Sequence, residues 1–94
     1  MSFTFEWDDV KASENLKHHG VSFSEASTVF ADPLSRTITD PLHSDEEGRF
    51  VVQGKSTLQH TLIVVHTYRG ETIRIISARS ATSRERKDYE RGKE

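Results

Sequence analysis

Two arginines stand where packing alone would not put them. In the run from Thr72 to Arg86, Arg74 and Arg79 interrupt an apolar, β-branched segment that passes straight into a charged helix. An unpaired guanidinium is costly to desolvate, so each needs an acidic partner or a phosphate-like ligand. His66 lies on the preceding apolar run, and Arg69 sits in the turn between the two runs. Imidazole is the side chain best suited to move protons near neutrality, and fixed guanidinium groups present paired donors to phosphate oxygens. The structural alternatives are salt bridges from the arginines to Glu85 or to an acidic loop, and a histidine hydrogen-bonded within the sheet.

Strand alternation limits how these groups can meet. It groups Arg74 with Ile76 and Ala78, and Arg79 with Ile73, Ile75 and Ser77. The two arginines therefore point to opposite faces mid-sheet. Arg79 stands at the strand's end, where its long side chain can swing, which ranks it slightly ahead of Arg74.

The elements that must position these residues are legible along the chain. Residues 3–7 alternate bulky apolar and polar side chains, the mark of a half-buried strand. Asp8 caps a first helix with Lys17, His18 and His19 in its last turn, and Gly20 stops it. Ser22 and Glu25 form a capping box for a second helix, which carries Phe23, Ala26, Val29 and Phe30 on one face and ends at Asp32-Pro33. Residues 34–39 are a weaker strand, and residues 40–48 form a loop with an acidic cluster at its end. Strands over 49–55, 61–68 and 72–79 follow, the last two joined by a tight hairpin at Arg69-Gly70. The stretch from Leu62 to Val65 is apolar on both faces and belongs centrally in the sheet. Thr82 and Glu85 open a last helix that runs through Arg91 to Gly92. This β-α-α-β-β-β-β-α order predicts an α+β fold in one domain, residues 1–94. A mostly antiparallel sheet of four to five strands carries the N-terminal helices on one face and ends in a C-terminal helix, leaving an open face for a ligand.

Composition narrows the function classes. Ninety-four residues, a third of them apolar, suit one modest core. The absence of cysteine excludes disulfides and thiolate metal sites. The start lacks the pattern of a secretory signal and no stretch reaches a membrane span, so a cytoplasmic protein is expected. A net charge of −2 hides an asymmetry: residues 1–48 hold three basic and ten acidic side chains, residues 49–94 ten basic and five acidic. The basic half suits nucleic acid or an acidic protein.

Several blocks, taken in order, resemble a known family. They are Phe5-Glu6-Trp7-Asp8 with Lys11-Ala12 and Asn15; His19-Gly20-Val21-Ser22-Phe23 with Glu25-Ala26; Val29-Phe30 with Asp32-Pro33; His43-Ser44 and Arg49-Phe50. After them come Val64-Val65-His66-Thr67, Arg69-Gly70, and the run Ile73 to Arg79 with Ala81-Thr82, Glu85-Arg86 and Tyr89. The chain resembles the BrnT family of bacterial toxins from Phe5 to Tyr89. The resemblance implies a RelE-like fold and a small ribonuclease of a type II toxin–antitoxin system that inhibits translation and growth. It further implies a BrnA-like antitoxin of the ribbon-helix-helix class, held in a toxin–antitoxin hetero-oligomer that meets operator DNA only through the antitoxin. Two positions depart from the pattern. His18 stands where lysine is usual, and the turn Thr57-Leu58-Gln59-His60 lacks the expected glycine–basic pair, which weakens the case for a phosphate contact at that hairpin.

Metal-free RNA cleavage needs a base for the 2′-hydroxyl, an acid for the leaving 5′-oxygen, and cations for the phosphorane. The expected catalytic residues are Arg79, Arg74, His66 and Arg69, with Glu85 a competing base whose capping role already explains it. Lys55, Arg49, Arg84, Arg86 and Lys87 are the expected RNA-binding cations, although the interleaved charges of the last helix also describe a solvated face. Tyr68 and Tyr89 can stack on bases or close the core, while Trp7, Phe23, Phe30 and Phe50 belong to core and caps. No metal or other cofactor is expected. His18 and His19 point about 100° apart on a helix, and His43 with Asp45 and Glu46 lacks a ligand spacing. A non-catalytic RNA- or partner-binding module is the alternative function; a lone DNA-binding regulator lacks a helix-turn-helix signature.

Overall fold

The structure is a computed structural model that describes residues 3–39 and 48–92. The acidic loop, with His43, Asp45 and Glu46, lies outside the described residues. Strand β1 (Thr4–Glu6) leads into helix α1 (Asp9–His19), then α2 (Phe23–Thr28) with a 3-10 turn at Val29–Ala31. Strands β2 (Arg36–Thr39), β3 (Phe50–Lys55), β4 (Thr61–Arg69) and β5 (Thr72–Ser80) follow, and α3 (Ser83–Arg91) ends the described chain. No helix among the described residues is long and apolar enough to cross a membrane.

Local signals act as their chemistry requires. The Asp8 carboxylate accepts from the backbone N–H groups of Val10 and Lys11, and Gly20 ends α1 at φ +70°, a left-handed turn that costs glycine little. Thr82 and Glu85 complete a reciprocal capping box at α3. The predicted box at α2 is only half made: Ser22 accepts from the Glu25 N–H, but the Glu25 carboxylate turns away to Ser56 and His60.

The sheet order is β1-β5-β4-β3-β2. All neighbours are antiparallel except β1, which lies parallel to β5, so the sheet is mixed. Helices α1 and α2 cover one face, and the core of Phe23, Ala26, Val29, Val52, Leu62, Val64, Ile75 and Ala78 lies between. Asn15 of α1 is buried there. Its side-chain amide donates to the carbonyls of Val21 and Ala78 and accepts from the Ala78 N–H, so it replaces a strand partner where β1 has ended.

One irregularity decides which residues share a face. Val65 pairs with Ser77 but His66 pairs with Ile75, leaving Ile76 as the extra residue of a β-bulge. The bulge resets the alternation of β5. Ile73, Ile75 and Ala78 are all buried against the helices, while Arg74, Ser77 and Arg79 share the other face with Thr67, Val65 and Ile63. The expectation that Arg74 and Arg79 diverge is thus corrected: five positions apart, with one absorbed by the bulge, they face the same way.

Helix α3 crosses part of that face. The Gln53 side chain, on the face of Ile63, donates to the Glu85 carbonyl at 2.6 Å, and Gly92 lies against the Arg36 guanidinium. Tyr89 is buried and donates to Asp32, which also accepts from the Lys55 and Leu34 N–H groups. Burial, followed by the Asp32 contact, pushes the Tyr89 phenol up to about 12.

Candidate functional site

Each strand arginine has a carboxylate. Arg74 donates from Nη1 to Glu6 Oε2 at 2.8 Å, an encounter fixed by the parallel register that sets Glu6 beside Arg74. The Arg69 Nε lies 3.9 Å from the same oxygen. At the other end of β5, Arg79 makes a two-pronged pair with Glu85, Nη1 to Oε1 at 2.8 Å and Nη2 to Oε2 at 2.9 Å. Nη1 also donates to the Ser80 carbonyl at 3.2 Å. The hydrogen bonds from Arg79, aided by those from Thr82, hold the Glu85 carboxyl at about 2, and the same pairing raises Arg79. A carboxylate that acidic is a weak base near neutrality.

Spacing divides the arginines into two stations. At roughly 3.3 Å per residue, Arg74 and Arg79 stand about 15 Å apart along the strand. Each is turned to its own carboxylate, Arg74 to Glu6 and Arg79 to Glu85. They can grip two phosphates of one strand laid along the face.

His66 is on the opposite side of the sheet. It is fully buried, with Phe30 edge-on at 4.7 Å, Phe50 stacked at 6.1 Å and Tyr68 edge-on at 5.4 Å between ring centres. Its Nδ1 lies 3.2 Å from the Val64 carbonyl, and its Nε2 has no partner among the described residues. Burial lowers its pKa, so the ring is held neutral. Sequence adjacency suggested a histidine beside the arginines; the pleat places it behind them.

The expected RNA-binding cations are distributed unevenly. Lys55 and Arg86 both line a cleft of about 210 Å³ between the β3–β4 hairpin and α3, with Thr61, Ser80 and Glu90 also in its walls. Arg84 and Lys87 are exposed on α3, and Arg49 is half-buried just before β3. Tyr68 is 48% exposed, whereas Tyr89 closes the core edge.

That cleft holds a residue the sequence reading passed over. His60 is largely exposed, and its Nδ1 donates to Glu25 Oε2 at 2.7 Å. The same oxygen accepts from the Ser56 hydroxyl at 2.7 Å. No local spacing signals this pair, because 35 positions separate its members.

Residues 7–85 match the family described as "Ribonuclease toxin, BrnT, of type II toxin-antitoxin system". The chain belongs to the BrnT family. Among solved structures, the Brucella abortus ribonuclease toxin BrnT superposes with a TM-score of 0.68 at 19% identity, covering 87% of this chain and all of that one. At that identity the likeness establishes the BrnT fold, including the sheet and the C-terminal helix. No curated protein matches the chain. Membership in a type II toxin–antitoxin family implies an antitoxin as partner.

Proposed function

We propose that this BrnT-family chain is an endoribonuclease that cleaves RNA without a metal ion, with the RNA laid along the open face of the sheet. The observation that carries this reading is the bulge at Ile76, which sets Arg74 and Arg79 on one face. Arg79 is the phosphate clamp. Its pairing with Glu85 holds the guanidinium plane ready, and a surface pair is worth only about 0–1 kcal/mol, so a phosphate can take the carboxylate's place. Arg74 and Arg69 receive another phosphate of the same strand, and the α3 cations with Lys55 extend the track.

In the cell, cleavage inhibits translation and growth in the cytoplasm. A BrnA-like ribbon-helix-helix antitoxin neutralises the toxin by covering this face, and operator DNA is met through the antitoxin.

A second reading, a non-catalytic RNA- or partner-binding module, is favoured by one observation: both strand arginines already carry carboxylates. Incubating the purified chain with defined single-stranded RNA in EDTA separates the two. The ribonuclease reading predicts fragments ending in 2′,3′-cyclic phosphate, and at least about a 100-fold loss in an Arg79→Ala, Arg74→Ala variant whose thermal unfolding remains cooperative. Bound but intact RNA would establish the module instead.

A further inference from the structure

We propose that His60, oriented by Glu25, is the proton-transfer residue of this site, and that the cleft between the β3–β4 hairpin and α3 receives the scissile phosphate. The proposal rests on the ribonuclease reading above and supplies the group that the arginine-bearing face lacks.

A carboxylate can only accept, so the 2.7 Å contact puts the hydrogen of a neutral His60 on Nδ1 and leaves the Nε2 lone pair outward. Among the described residues Nε2 has no partner. The side chain is 60% exposed against 10% for Glu25: the carboxylate is the buried anchor and the ring the accessible tip. Glu25 gives up half of its capping box to make this contact. The Ser56 hydroxyl fixes the shared oxygen from the other side and also accepts from the N–H groups of Leu58 and His60, so the turn carrying His60 is braced. A carboxylate behind imidazole fixes its orientation and stabilises the imidazolium formed when it takes a proton.

The cleft suits a phosphodiester. Lys55 and Arg86 supply positive charge in its walls, Glu90 the opposing charge. Ser80, whose carbonyl binds Arg79, is also part of the wall, so the clamp adjoins the cleft. In the step proposed, the 2′-oxygen attacks phosphorus and its proton passes to His60 Nε2. The P–O2′ bond forms as the P–O5′ bond breaks, and the 5′-oxygen leaves with a proton from water. Products are a 2′,3′-cyclic phosphate and a 5′-hydroxyl, and the imidazolium returns its proton to solvent. Glu25 touches no substrate; it is a positioning residue.

The test compares the original chain with His60→Ala and Glu25→Gln on a defined single-stranded RNA in EDTA, with and without added imidazole. His60→Ala is expected to cleave at least about 100-fold more slowly, to bind RNA within about twofold of the original, and to regain at least about tenfold in rate with imidazole. Glu25→Gln should lower kcat with KM unchanged, and Glu25→Asp, which keeps a carboxylate behind the ring, should regain part of that loss, a split and a rescue that a merely structural role would not produce. Full-rate cleavage by His60→Ala, or a slow variant that imidazole does not rescue, would overturn the assignment and leave the ribonuclease standing. An inert original chain would overturn both.

Discussion

The two ends of β4 carry the same side chain in opposite circumstances. His66, near the hairpin to β5, is sealed among Phe30, Phe50 and Tyr68 with one nitrogen unpartnered among the described residues. His60, just before the strand begins, stands in a cleft with a carboxylate behind it. Burial without a counter-charge keeps an imidazole neutral; a buried carboxylate behind an exposed ring fixes its orientation and leaves the other nitrogen turned outward. Environment, not residue type, assigns the chemistry.

The largest expected effect breaks this comparison at the active end: His60→Ala loses at least about 100-fold in cleavage, whereas His66→Phe stays within about twofold. The next sharpens it at the buried end. Because burial lowers the folded-state pKa of His66 below 6.5, the unfolded chain takes up a proton that the folded chain refuses. Stability from this group is full above about pH 6.5 and falls below it by up to about 1.4 kcal/mol per pH unit, until the folded pKa is reached. Urea unfolding from pH 7.5 to 5 should show that slope in the original chain and a flatter one in His66→Phe.

A smaller effect concerns the clamp. Glu85 has a folded pKa of about 2 against 4.5 unfolded, so its contribution is present above pH 4.5 and is lost as the pH falls towards 2. Solvent screening at this half-exposed pair reduces the contribution to about 1 kcal/mol, which Glu85→Gln should forfeit at pH 7 in the same urea experiment. The smallest effect lies beside His60. Gln59 holds φ at +68°, a left-handed conformation costly for any residue with a Cβ, and Gln59→Gly should stabilise the chain by about 0.5 kcal/mol in thermal unfolding.

That strain marks the turn where the sequence departs from the glycine–basic pair that the resemblance led us to expect. The turn without the usual glycine still adopts a glycine-like conformation, now with Gln59 in it. Much of the fold was legible in this way, because caps and stops act locally: Asp8, Gly20, Ser22 and the Thr82–Glu85 box all sit where their chemistry requires. What was illegible depends on distant partners. The parallel pairing of β1 with β5 joins strands nearly seventy positions apart. The bulge follows from how β4 and β5 register, and Ile75-Ile76 looks like any apolar run. Simple alternation therefore sent Arg74 and Arg79 to opposite faces, and proximity along the strands recommended His66. The Arg79–Glu85 pair was visible as an alternative because six positions separate the two, but the Glu25–His60 pair was not.

The most direct measurement is the single-turnover cleavage rate of one defined RNA by the original chain, His60→Ala and His66→Phe, side by side in EDTA. The account predicts a fast original, a His66→Phe variant that matches it, and a His60→Ala variant slowed at least about 100-fold. A fast His60→Ala beside a slow but stably folded His66→Phe would contradict it, and would move the chemistry to the other end of β4.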